Sequence, residues 1–233
     1  THLPAAVPHL VAHLAGPEHL RARVTQLLLE AGAPAAAALR ERLDEKDPRV
    51  RQGVLEVLSR LPGVDPLDTL FSGLLDADPE TARKAVGTYR TRIDVMKEAE
   101  KAKALGKLLD FAGSGKVRKA KGALASTLSV VGAFKDASAA KLFLEFADRK
   151  ADPGVRTAAL QALALVPLEG KAASQGVARL LNLLDEADFA GTVKPALEIL
   201  WKLPAGKEHA ARIQKLLKSS VGPVRHYALK ALG

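Results

Sequence analysis

The chain contains no cysteine, which removes disulfide frameworks, thiolate metal sites and thiol nucleophiles together. Aromatic residues make up only 4% of its 233 positions. With so few rings, the core has to be filled by Leu, Val and Ala, which suits closely packed helices better than sheets, where aromatics are favoured. Met96 is the single methionine and Trp201 the single tryptophan. Apolar runs stay well short of the roughly 20 residues that a membrane-crossing helix requires, and the period-two alternation of a half-buried strand is missing. These absences fit a cytoplasmic protein. The chain opens on Thr1, and a helical pattern is still running at Gly233, so it reads as a segment of a longer protein.

What is present is repetition. The stretch DPGVRTAALQALALV, from Asp152 to Val166, carries a helix-capping aspartate followed by proline at the first helical position, where a missing N–H costs nothing. Val155, Ala159, Ala162 and Val166 then recur three or four residues apart, with Leu160 and Leu163 widening the apolar face. Arg156 lies four residues after Asp152, within reach of its carboxylate. The apolar–basic step recurs as Leu20-Arg21, Val50-Arg51, Ala82-Arg83, Val117-Arg118, Val193-Lys194 and Val224-Arg225, and the intervals run from 30 to 38 residues. That is the period of helical-hairpin repeats. Asp47-Pro48 and Asp78-Pro79 open two further copies, while Gly16-Pro17, Ser114-Gly115, Ala190-Gly191 and Val221-Gly222 stand at the others.

Between the copies lie seven more amphipathic segments: 3–14, 34–43, 66–75, 94–112, 136–147, 170–184 and 206–217. Gly32, Gly63, Gly113, Gly132, Gly170 and Gly206 separate them, as expected of helix stops. The pattern predicts an all-α chain of about seven antiparallel helix pairs stacked side by side, in one domain over residues 1–233.

The Asp-Pro-x-Val-Arg opening followed by Ala-Leu spacing resembles the second helix of HEAT repeats, including the HEAT-like repeats of bilin lyases. The likeness spans nearly the whole chain; it is strongest at Asp47–Leu61 and Asp152–Val166 and weakest at Ala190–Leu203. It implies a right-handed α-solenoid, a HEAT-like superhelix whose second helices line the concave side. It also implies that Asp47 and Asp152 pair with Arg51, Arg156 or the equivalent arginine of a neighbouring repeat. Such arrays mostly bind other macromolecules, and a fold by itself does not fix function.

Charge is unevenly spread. Residues 1–82 hold 8 basic against 12 acidic side chains, whereas residues 83–122 hold 12 against 4. Lys116, Arg118, Lys119 and Lys121 crowd the expected start of the fourth second helix, where cations oppose the helix macrodipole. With Lys84 they form a candidate basic patch for an anionic partner, set against the plainer reading of a solvated helix face. The residue after each repeat arginine, and the one four later, should point outward from the second helices. These concave-face candidates are Gln52 and Glu56, Lys84 and Thr88, Lys119 and Ala123, Thr157 and Gln161, and His226 and Lys230.

Catalytic and cofactor motifs fail on inspection. Gly113-Ser114-Gly115-Lys116 is similar to the end of a phosphate-binding loop, but Asp110 replaces its first glycine and Val117 its Ser/Thr. His9 and His13 have zinc-ligand spacing, yet Leu10 replaces the catalytic glutamate and a third ligand is not evident. Trp201 reads as core or inter-repeat packing. Tyr89 and Tyr227 lie far apart in sequence, which argues against an aromatic pocket for an extruded base. The sequence thus predicts a non-catalytic scaffold without cofactor or metal. Its partner would be another protein, with an acidic one among the options. The second reading is phosphate-backbone binding to nucleic acid through the basic middle.

Overall fold

A computed structural model describes residues 3–233, side chains from residue 6 onward. The described residues are helical and contain no strand. In chain order the α-helices are α1 Leu3–Ala12, α2 Glu18–Ala31, α3 Ala33–Arg40, α4 Pro48–Arg60, α5 Pro66–Leu74, α6 Pro79–Ile93 and α7 Glu98–Gly113. They continue as α8 Gly115–Lys119, α9 Lys121–Ala133, α10 Ala140–Phe146, α11 Pro153–Leu163, α12 Gly170–Leu181, α13 Lys194–Leu200, α14 Ala210–Leu216 and α15 Gly222–Leu232. Helix pairing follows the sequence repeat, with α8 and α9 together taking the place of one second helix.

The chain forms two compact units, Thr1–Ala104 and Leu105–Gly233, and the division falls within α7. In the first unit, the second helices α2, α4 and α6 pack side by side, and α4 and α6 also hold α5. Val7, Val11, Leu14, Leu28, Leu39, Val54 and Val57 form its apolar centre. In the second unit, α9, α11 and α13 make one layer while α10 and α12 make the other. Leu128, Phe143, Leu160, Leu163, Leu180 and Leu181 fill the space between them. Each such side chain contributes roughly 1.5–3 kcal/mol relative to leaving it in water.

Capping aspartates define the helix starts. Asp47 accepts from the Arg49 N–H, Asp78 from the Thr81 N–H, and Asp152 from the N–H groups of Gly154 and Val155. Proline follows each cap, and its ring fixes φ for the first turn. Ser114 substitutes for aspartate at α8 by accepting from the Val117 N–H. The weakest copy behaves differently. Asp188 caps a π-helical turn over Phe189–Val193 that runs into α13, so its cap stands two residues before Ala190-Gly191.

The aspartate–arginine pairing within a repeat is not what holds the stack. Asp47 pairs with Arg49, and Asp152 with Lys121 of the preceding second helix at 2.9 Å. Three repeat arginines, Arg51, Arg118 and Arg156, instead reach into the next repeat, whereas Arg21 and Arg83 pair with Glu18 and Glu80 on their own helices. Arg51 grips Asp76 with two 2.7 Å bonds and donates to the Glu45 and Lys46 carbonyls. Arg118 grips Glu145, and Arg156 binds the Thr192 hydroxyl and the Arg149 carbonyl with Glu186 3.9 Å away. Arg156 is buried at 5% exposure, so its polar partners satisfy a charge that would otherwise be costly.

Two glycine assignments also change. Gly32 and Gly63 take positive φ beyond the ends of α2 and α4, as helix stops do, whereas Gly170 takes it as the first residue of α12. Gly132, in contrast, lies inside α9 where a Cβ would come 2.7 Å from the Ala162 Cβ. It permits close approach of α9 and α11. The left-handed residue beyond that helix is Lys135, with φ of 54°.

Candidate functional site

The first unit carries a groove of about 560 Å³ between α4 and α6, floored by α5. Gln52, Glu56, Ser59 and Arg60 form one wall; Lys84, Thr88, Thr91 and Arg92 form the other. The repeat interval of 32 residues between Val50 and Ala82 puts these walls in register. Lys84 Nζ donates to Gln52 Oε1 at 2.7 Å across the gap, and Gln52 Nε2 donates to Asp78 Oδ2 at 3.2 Å. Arg60 and Arg92 are the same position one repeat apart.

Leu55, Leu70 and Tyr89, all nearly inaccessible, line the floor with Pro66 and Ala85, and Val95 stands at the mouth with 81% of its surface exposed. The Tyr89 hydroxyl is buried with no hydrogen-bond partner among the described residues. Burial, and secondarily the Asp65 carboxylate, push its pKa up to about 12 against the opposing pull of Arg92. The phenol therefore stays protonated and can donate. A smaller hollow of about 320 Å³ adjoins the groove, shares Gln52, Glu56 and Lys84 with it, and adds Arg21 and Arg49.

Four concave-face candidates, Gln52, Glu56, Lys84 and Thr88, thus meet in one place. Arg60, Arg92 and Val95 join them although periodicity alone did not single them out. The signal was available, because Arg60 and Arg92 are separated by the same 32 residues as the repeat openings. The remaining candidates lie in the second unit. Gln161 is exposed; Thr157 is half-buried and donates to the Gly191 carbonyl at 3.1 Å, which commits it to inter-repeat packing. Ala123 is buried, not outward-facing. His226 and Lys230 are exposed and flank Trp201, whose ring also meets Tyr227 edge-on at 5.4 Å. Trp201 is thereby an inter-repeat packing residue with 38% of its surface exposed. His9 and His13 are exposed, and the described residues contain no cluster suited to a metal ion.

The basic patch has a different layout from the expected one. The helix breaks at Ala120, with φ of −95° and ψ of 88°. Lys116, Arg118 and Lys119 consequently occupy the last turn of the five-residue α8, where the carbonyl ends favour cations. The expected opposition to the macrodipole is therefore confined to Lys121, the first residue of α9. Arg118 is held by Glu145 and lies 5.3 Å over the Phe146 ring, and Lys121 is held by Asp152. Both carboxylates are pulled below their ordinary pKa, chiefly by these hydrogen bonds. A larger cleft of about 940 Å³ in the second unit mixes signs, with Asp185 and Glu186 facing Arg212 and Lys215. Arg149 already pairs with both of those acids.

Residues 4–89 match the family model of HEAT repeats. A search of curated proteins finds no match. Among solved structures, the chain is similar to an archaeal HEAT-like repeats protein from Thermococcus onnurineus NA1, with 16% identity and a TM-score of 0.53 over 97% of this chain and 95% of that one. It is also similar to Kap121p, with 17% identity and a TM-score of 0.54 over 98% of this chain. The chain spans about a third of Kap121p, 33% of its length. At these identities the likeness establishes the fold: a HEAT-like array of helical repeats.

Proposed function

We propose that this HEAT-like chain is a non-catalytic, cytoplasmic scaffold that binds a partner protein along the surface of its second helices. The observation that carries the reading is the groove between α4 and α6. Its walls are outward-facing polar positions held in register by the repeat, and its floor is apolar. Partner recognition in interfaces of this kind rests on an apolar anchor in a pocket with a polar rim. The basic patch supports nucleic acid less well, because two of its five side chains are already neutralised within the protein.

The test uses the chain's freedom from cysteine. A single cysteine replaces Thr88 in the groove or Asp68 on α5, and each is labelled with a photo-activated cross-linker. Cross-linked protein species formed from extract at Thr88 and competed by unlabelled chain, but absent at Asp68, are expected. Equal products from both positions would overturn the assignment of the groove as the binding face.

A further inference from the structure

We infer that the groove of the first unit takes an acidic, extended peptide segment, seating an apolar side chain on the floor and carboxylates against Arg60, Lys84 and Arg92. The inference rests on the protein-binding reading above and adds the chemistry of the partner.

Residues 1–104 hold 15 basic and 15 acidic side chains, so this unit has no net charge to explain. The groove nevertheless has Arg60, Lys84 and Arg92 on its walls against the single acid Glu56. The adjoining hollow adds Arg21 and Arg49, which are paired with Glu18 and Asp47. Several acids of the unit are used elsewhere: Asp47, Asp65 and Asp78 cap helices, and Asp76 holds Arg51. Arg60 and Arg92 have no ion pair among the described residues, and the bond from Lys84 goes to a neutral amide. Three cations without an ion pair therefore border one recess, against Glu56 alone. A low-dielectric floor strengthens their field toward an incoming anion.

The floor decides which anion fits. Pro66, Ala85 and the Val95 lip offer apolar surface for a side chain to bury, above Leu55, Leu70 and the Tyr89 ring, which are already packed. Single-stranded nucleic acid is held by a cationic track with exposed rings for stacking, and a duplex by many phosphate contacts with no use for an apolar floor. An alternating acidic and apolar peptide matches both features of this groove. In an extended strand, successive side chains point to opposite sides at about 3.3 Å rise per residue, so an apolar side chain can enter while its neighbours reach the rims.

The experiment selects random 12-residue peptides displayed on phage against the immobilised 233-residue chain, then measures synthetic peptides by fluorescence anisotropy. Enrichment of peptides rich in Asp and Glu around an apolar residue is expected. Their affinity should drop roughly tenfold or more in Arg60→Gln/Arg92→Gln, as charge pairing at a rim and pocket predicts, and stay unchanged in Lys119→Gln. Thr88→Trp, which fills the groove, should abolish binding, with circular dichroism checking that each variant is folded. Peptides blocked by Thr88→Trp but carrying no acidic excess would overturn the acidic partner and leave the protein-binding reading standing. Absence of enrichment, or binding indifferent to Thr88→Trp, would overturn both. A 12-base-pair DNA duplex that displaces the peptides, and itself binds through Arg60 and Arg92, would overturn the peptide in favour of a phosphate backbone.

Discussion

At the scale of single residues, two positions at the end of α9 have opposite requirements. Gly132 faces Ala162, and an added Cβ would lie 2.7 Å from its Cβ and 2.9 Å from its Cα. Neither atom is the end of a flexible chain, so the helices must move apart. Gly132→Ala should destabilise the protein by about 1–3 kcal/mol, the usual range for overpacking. Three residues later, Lys135 adopts φ of 54°. A left-handed L-residue costs about 1–2 kcal/mol, of which glycine's larger unfolded-state entropy returns about 0.5–1. Lys135→Gly should raise stability by up to about 1 kcal/mol. Chemical denaturation midpoints measure both. A stabilising Gly132→Ala, or a destabilising Lys135→Gly, would contradict the packing and the backbone geometry respectively.

At the scale of elements, what the sequence made legible was what is local. A cap binds N–H groups two or three residues away, so Asp47, Asp78 and Asp152 could be recognised from spacing, and Ser114 performs the same task with a different side chain. Partners across repeats were not legible. Arg51 finds Asp76 and Arg118 finds Glu145 25 and 27 residues away, a choice set by how neighbouring pairs stack. The break at Ala120 was equally hidden, because the apolar pattern continues through it. Of the groove, the periodic wall positions were readable and the 32-residue spacing of Arg60 and Arg92 was there to be read, while the place of Val95 required knowing that the gap between α4 and α6 opens at that end.

Asp152 joins the two kinds of contact, since it caps α11 and pairs with Lys121 of α9. Asp152→Ala removes the cap and should cost about 0.5–2 kcal/mol. The exposed ion pair adds little to that. Gln161→Ala on the open face of the same helix should cost less than about 0.5 kcal/mol. Equal shifts in denaturation midpoint for the two substitutions would show that the cap is not what secures the start of α11.

At the scale of the whole molecule, acid sensitivity follows from the same carboxylates. Asp47 and Asp78 in the first unit, and Asp136, Glu145 and Asp152 in the second, are all held below their ordinary pKa. Hydrogen bonds to their charged forms lead the causes: from Arg49, Thr81, Ser138, Arg118 and Lys121 in turn. A depressed folded pKa means that the unfolded chain binds the proton first as pH falls. The stabilisation is therefore fully present above the ordinary carboxylate value of about 4, and is lost as pH drops through the lower folded values. The thermal midpoint should be level from about pH 8 to 5 and decline below about pH 4. Because the groups are spread over both units, the decline should not be confined to one of them. Asp78→Asn with Asp152→Asn keeps an oxygen to accept the capping N–H bonds but cannot titrate. That double variant should start from a lower midpoint at pH 7 and fall less steeply between pH 4 and 2. An acid limb as steep as that of the unaltered chain would mean that other groups, not the helix-capping aspartates, govern acid unfolding.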